Sequence, residues 1–144
     1  EMLRHENQEH FIVAYVNVKT RLLGYKTITT GNLNAAPVDI KEALKWAIRY
    51  KAYGMILVHN HPSGYPEPSN EDVDITKAFA EAAKYLDMEV LDHIIIGDGS
   101  FVSLTKGAFS KIQGSTGGKN AACTLPIKAE EVRTMEITIN SKTQ

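Results

Sequence analysis

Runs of apolar residues with two different periods divide the first two thirds of this chain into elements. His10-Phe11-Ile12-Val13-Ala14-Tyr15-Val16 is rich in β-branched and aromatic residues and predicts a strand. Residues 11 to 18 and 22 to 30 can then pair as a hairpin around Lys19-Thr20-Arg21. The period changes next. Ile40, Ala43, Leu44, Ala47 and Ile48 fall on one face of a helix, with Trp46 and Tyr50 beside that stripe as packing residues. Gly54-Met55-Ile56-Leu57-Val58 is a short, continuous apolar run after a glycine, as expected of a strand buried on both faces. Ile75, Ala78, Phe79, Ala82, Ala83 and Leu86 return to helical spacing. Met88 to Ile96 and Ser100 to Leu104 form a second hairpin around Asp98-Gly99, a favoured two-residue turn. Strand-like and helix-like segments thus follow one another along the chain.

Composition narrows the setting. At 144 residues the chain has the length of one domain, and 16 basic against 17 acidic residues leave a net charge of −1. That balance provides no cationic field for a phosphate backbone, so strong nucleic-acid binding is not expected of this chain. No apolar run has the length of a membrane span and no signal-peptide pattern is present, so the expected compartment is the cytoplasm, with no membrane partner. Cys123 is the one cysteine, which excludes an internal disulfide and also a deaminase site built on a cysteine pair and His-x-Glu. The first residue is Glu1 rather than methionine, which leaves open a missing upstream segment, a DNA-binding module included.

The candidate chemistry lies where the buried strand ends. His59-Asn60-His61-Pro62-Ser63-Gly64 follows the apolar run directly, and residues two apart on an extended segment point to the same side. His59 and His61 can therefore aim at one point, with Asn60 facing away. Pro62 has no N–H and a fixed φ, so Ser63-Gly64-Tyr65-Pro66-Glu67-Pro68 must be a loop. Ser69-Asn70-Glu71-Asp72 then opens the second helix, with Asp72 in its first turn. Two imidazoles and a carboxylate suit a zinc ion that keeps an open position for water. Each residue also has a plainer reading. Ser69 and Asp72 are spaced as a capping box with aspartate in place of glutamate, and a histidine at a strand end is commonly a hydrogen-bonded structural residue. The complete spacing H-x-H-x7-S-x2-D favours the metal.

These residues, with Pro68-Ser69 and the later run Leu91-Asp92-His93-Ile94-Ile95-Ile96-Gly97-Asp98-Gly99, resemble the RadC family, a bacterial branch of the JAB (MPN+ or JAMM) metalloprotease-like domains. The likeness spans about residues 7 to 105. It implies a cytidine-deaminase-like (JAB/MPN) α/β fold, a mixed central sheet flanked by helices, and a zinc held by His59, His61 and Asp72 with Ser69 beside the bound water. JAB enzymes also use a glutamate at the start of an early strand as general base. Glu9 fits that place, immediately before His10. Glu42 competes, although Asp39 and Glu42 are spaced as a further capping box ahead of the first helix; Glu9 is preferred.

The implied reaction is amide hydrolysis. Zinc lowers the pKa of its water from about 16 to about 7, a carboxylate takes the proton, and hydroxide attacks a peptide or isopeptide carbonyl. Ser69 would help to stabilise the oxyanion. The expected partner is a peptide or protein substrate whose identity the sequence does not state. Two other classes were weighed. An HNH nuclease spreads its motif residues over a hairpin and a helix, so the contiguous His-Asn-His string is a coincidence of letters. A non-catalytic metal-binding accessory domain of a DNA-repair-associated protein is the alternative, opposed by retention of every motif residue.

The remaining residues support this frame. His93 sits inside the apolar run Leu91 to Ile96 and fits a hydrogen-bonded core histidine at least as well as a role behind the metal, so it is left out of the site. The RadC-like domain is assigned to residues 1–112, with residues 113–144 a linker and a possible extra strand. Within that tail Gly114-Ser115-Thr116-Gly117-Gly118-Lys119-Asn120 reads as a flexible linker. Arg133 to Asn140 alternates polar and apolar positions, a candidate strand for docking on this sheet or on a second copy of the chain.

Overall fold

The computed structural model describes residues 9–30, 38–98 and 100–104. Five strands and two helices follow in the order β1 (His10–Val16), β2 (Leu22–Thr30), α1 (Ile40–Arg49), β3 (Gly54–Asn60), α2 (Asn70–Lys84), β4 (Glu89–Ile96) and β5 (Phe101–Ser103). They build one mixed sheet in the order β2-β1-β3-β4-β5. Only β3 and β4 are parallel, joined by the α2 crossover, and every other neighbouring pair is antiparallel. This is the mixed α/β fold that the family resemblance implies.

The burial of the strands explains why two of them lack alternation. All seven residues of β1 are buried, as are Gly54 to His59 of β3, because these strands lie inside the sheet with apolar groups against both faces. Ile12, Ala14, Val16, Ile56, Val58, Ile94 and Ile96 form a cluster on one face. On the other, Phe11, Val13, Tyr15, Met55 and Leu57 meet Ala43 and Ala47 of α1 and Phe79 and Ala83 of α2, so both helices pack on the same side. Phe11 lies between the two halves of that cluster, its ring stacked 5.8 Å from Phe79 and 5.7 Å from His59. Burying a phenylalanine in this way stabilises the fold by about 2–3 kcal/mol. His59 therefore rests against the core.

Several boundaries differ from the sequence expectation. β1 stops at Val16, and Val18 is exposed within the Asn17–Arg21 turn, where Thr20 takes a φ of 58°. Ile48 is 56% exposed and Leu86 lies beyond the end of α2 at 41%, so neither belongs to a buried stripe. Asp39 caps α1 through the N–H groups of Lys41 and Glu42, but the Glu42 carboxylate does not return the bond expected of a capping box. It accepts instead from Lys45 Nζ at 2.8 Å and Trp46 Nε1 at 3.1 Å. Trp46 packs against the core as expected and is also flanked by Lys26, Lys45 and Arg49 within 5.2 Å of its ring. Among the described residues no helix is long and apolar enough to cross a membrane. The expected tail elements, the linker at 114–120 and the strand at 133–140, lie outside the described residues, as does Cys123.

Candidate metal centre

The end of β3 and the start of α2 bring three side chains to one point. His59 is the penultimate residue of the strand, and His61 continues past its end because its N–H still donates to Ile96 O of β4 at 3.0 Å. Pro62 then releases the chain into the loop. The loop is held against the end of β4 by Asp98 N–H donating to Gly64 O at 2.8 Å. Gly64 adopts a φ of 86°, and a Cβ on Gly97 would lie 2.5 Å from Gly64 O, so both positions require glycine. This tight contact returns the chain to α2.

At the helix start the capping box orients the same carboxylate that the metal reading uses. Ser69 Oγ accepts from Asp72 N–H at 3.2 Å, while Ser69 N–H donates to Asp72 Oδ2 at 2.8 Å. The cap thereby turns the Asp72 carboxylate toward β3. Its Oδ1 lies 3.0 Å from His59 Nε2 and its Oδ2 3.1 Å from His61 Nε2. Donor atoms of His59, His61 and Asp72 all lie within 4.8 Å of one another, a group that could hold a metal ion. Each imidazole thus faces a different oxygen of the same carboxylate, so the three donors converge on one point without any of them being turned away. Two imidazoles and a carboxylate also match the chemistry of zinc. The residues fit the group.

The electrostatics follow from burial and these contacts. Burial alone would raise the Asp72 carboxyl, but hydrogen bonds from His59 and His61 outweigh it and hold the group well below the usual carboxylate range. The bond to Asp72 raises His61 above an ordinary histidine, against the opposing effect of its partial burial. His61 Nδ1 lies 2.9 Å from Tyr65 O, and because a carbonyl only accepts, that nitrogen carries the proton. Nε2, which faces Asp72 Oδ2 at 3.1 Å, is then the nitrogen a metal would take in place of a proton.

Glu9 and Ser69 line the same cavity as His61 and Asp72, a space of about 480 Å³ whose apolar wall includes Val38, Ile40, Ile75 and Ala78. Asn60 stands between the two histidines in the chain. Its Oδ1 accepts from His10 N–H at 2.7 Å, which anchors the beginning of β1, and Glu9 with it, beside the end of β3. Glu42 is not on this cavity. Its bonds to Lys45 and Trp46 engage it on α1 and lower its carboxyl below the usual value.

The family comparison can be made on this geometry. A family model described as a RadC-like JAB domain matches residues 1–109. The chain belongs to that family. The RadC-like domain is 48% identical over 109 residues to a UPF0758 protein of Geobacillus sp. (strain WCH70), covering 76% of this chain and 48% of the relative. It is 46% identical over 109 residues to a UPF0758 protein of Geobacillus kaustophilus (strain HTA426), with the same coverage of both chains. A UPF0758 protein of Desulforamulus reducens is 50% identical over 104 residues, 72% of this chain and 46% of that protein. The chain thus spans about half the length of the curated relatives it matches.

One residue left out of the site by sequence reasoning touches it directly. His93 of β4 is fully buried, and its Nε2 lies 2.7 Å from His59 Nδ1. Its other nitrogen is 2.6 Å from Thr76 Oγ1 on α2. Burial and the neighbouring His59 push His93 down to about 3, so the ring is neutral. The only sequence signals for this trio in the RadC-like domain are a histidine in an apolar run and a threonine one helical turn after Asp72.

Proposed function

We propose that this RadC-like JAB domain is a zinc-dependent metallopeptidase-like hydrolase acting on peptide or isopeptide amides. Zinc is held by His59, His61 and Asp72, Glu9 is the general base and Ser69 assists at the oxyanion. The observation that carries the reading is the shared cavity, on which Glu9 and Ser69 join two members of the His59, His61 and Asp72 group. JAB domains include metalloproteases, which makes amide hydrolysis the first reaction class to test.

When bound, zinc supplies a water of lowered pKa and a Lewis acid for the substrate carbonyl. Glu9, at the mouth of β1, accepts a proton from the attacking water and passes it to the leaving amine. Ser69 Oγ uses a lone pair for Asp72 N–H, so its own proton is not spent on that bond and can be donated to the developing oxyanion. Asp72 is held in orientation by the helix cap, and His59 and His61 by hydrogen bonds on their far nitrogens. The apolar wall of Val38, Ile40, Ile75 and Ala78 can receive an apolar part of a substrate and exclude water from the carbonyl. A peptide or protein remains the expected substrate class, and strong nucleic-acid binding is not part of the proposal.

The test compares two glutamates on a panel of peptide and isopeptide substrates. Glu9→Gln keeps the shape and all three metal ligands but cannot take the proton, so zinc content persists while hydrolysis falls by about 100-fold or more. Glu42→Gln leaves turnover nearly intact and lowers stability by about 1 kcal/mol or less, since its ion pair with Lys45 is exposed. Equal turnover in wild type and Glu9→Gln would overturn the assignment of the base.

A further inference from the structure

The contacts behind His59 form a relay whose proton positions follow from counting donors and acceptors. Thr76 Oγ1 lies 2.7 Å from Asp72 O, and a carbonyl can only accept, so the single hydroxyl proton of Thr76 points there. The 2.6 Å contact between Thr76 Oγ1 and His93 Nδ1 then requires Nδ1 to be the donor. A neutral imidazole carries one N–H, which leaves His93 Nε2 as an acceptor. It faces His59 Nδ1 at 2.7 Å, so His59 donates from Nδ1. With Nδ1 so engaged, Nε2, which faces Asp72 Oδ1 at 3.0 Å, is the nitrogen of His59 that a metal would take in place of a proton.

We propose that Thr76 and His93 are positioning residues that select the metal-binding tautomer of His59, through a relay that begins at the backbone carbonyl of the ligand Asp72 and ends at the ring of the ligand His59. The relay couples the two ligands across the crossover. Asp72 and Thr76 lie one turn apart on α2, His93 is on β4 and His59 on β3, so a shift of α2 along the sheet would break the chain of bonds at Thr76. His61 obtains the same tautomer more simply, from the carbonyl of Tyr65 in its own loop. His59 is buried against the core, and a second histidine takes the place beside its Nδ1.

The inference rests on the metal-binding part of the proposed function and not on turnover. The experiment measures zinc affinity by competition with a chelator and reads histidine tautomers by long-range proton–nitrogen NMR of the zinc-loaded chain. In wild type, His93 is expected to be protonated on Nδ1, with His59 protonated on Nδ1 and metal-bound through Nε2. Thr76→Val keeps the shape but removes the acceptor for His93 Nδ1–H. Zinc affinity should fall by about 10–100-fold, the usual cost of losing a group that orients a metal ligand, and the His93 tautomer should become mixed. Thr76→Ser should restore both, which loss of packing alone would not explain. Wild-type affinity and an unchanged His93 tautomer in Thr76→Val, or a wild-type His93 protonated on Nε2, would overturn the relay. Failure of the wild-type chain to bind zinc at all would instead remove the metal centre on which it rests.

Discussion

Replacing Asp72 with asparagine separates the helix cap from the metal site, because the two functions use the same carboxylate differently. Asparagine has the same shape and retains one oxygen for Ser69 N–H, now 2.8 Å from Oδ2, so the first turn of α2 should persist. What disappears is the charge and the Oδ1 oxygen, and with it the acceptor for His59 at 3.0 Å, while the oxygen shared by Ser69 and His61 stays. Without metal the variant should lose about 1–3 kcal/mol, the worth of a hydrogen bond to a charged group. Removal of a ligand should weaken zinc binding by more than the roughly 10–100-fold that loss of an orienting group costs. Zinc at about 100 times its Kd stabilises a folded protein by about 2.7 kcal/mol, or about 8–10 °C in Tm for a chain of this size. After a weakening of 100-fold, the same zinc concentration supplies about 0.4 kcal/mol, or about 1–2 °C. The assay is thermal unfolding followed by circular dichroism, with zinc and with chelator. Asp74→Asn is the control, since that exposed carboxylate lines the cavity but is not one of the three ligands, and it should keep the full shift. A zinc-induced shift of wild-type size in Asp72→Asn would refute the assignment of this ligand.

Proton and metal compete for the same imidazole, which makes stability depend on pH in opposite directions in the two states. In the metal-free protein the raised His61 value stabilises the fold fully below the unfolded value of about 6.5, and this contribution is lost as pH rises through the folded value. The lowered Asp72 carboxyl contributes above its unfolded value of about 3.9 and is lost only as pH falls through the folded value. Zinc needs unprotonated rings, so the zinc-induced rise in Tm should be larger at about pH 7.5 than at about pH 5.5, and equal shifts would argue against His61 as a ligand. Duplex DNA should bind weakly and with strong salt sensitivity, given the net charge of −1; submicromolar, sequence-specific binding at physiological salt, measured by fluorescence anisotropy, would contradict that expectation.

The grouping of His59, His61 and Asp72 was legible in the sequence because each of its parts is local. The two histidines are spaced as neighbours on one side of an extended segment, and Ser69 and Asp72 as the two ends of a first helical turn, so dihedral geometry alone orients each pair. The strands and helices were legible for the same reason, since their periods are properties of single segments. The capping reading of Ser69 and Asp72 is met in the structure, and the same cap aims the carboxylate at His59 and His61.

What the tertiary structure decided are the relations between segments. His59 and His93 are 34 positions apart, and their contact depends on the parallel register that sets His93 beside Leu57 and Ile95 beside His59. Thr76 reaches His93 only because α2 packs on the face to which His93 points. Glu9 comes to the cavity through the antiparallel pairing of β1 with β3 and the Asn60 contact to His10, 50 positions away, whereas Glu42 is drawn off by Lys45 and Trp46. Periodicity states which face of an element is apolar, but a sheet can slide by two residues without changing that pattern. Register therefore depends on packing across the whole core, and with it the difference between a histidine that fills space and one that orients a ligand.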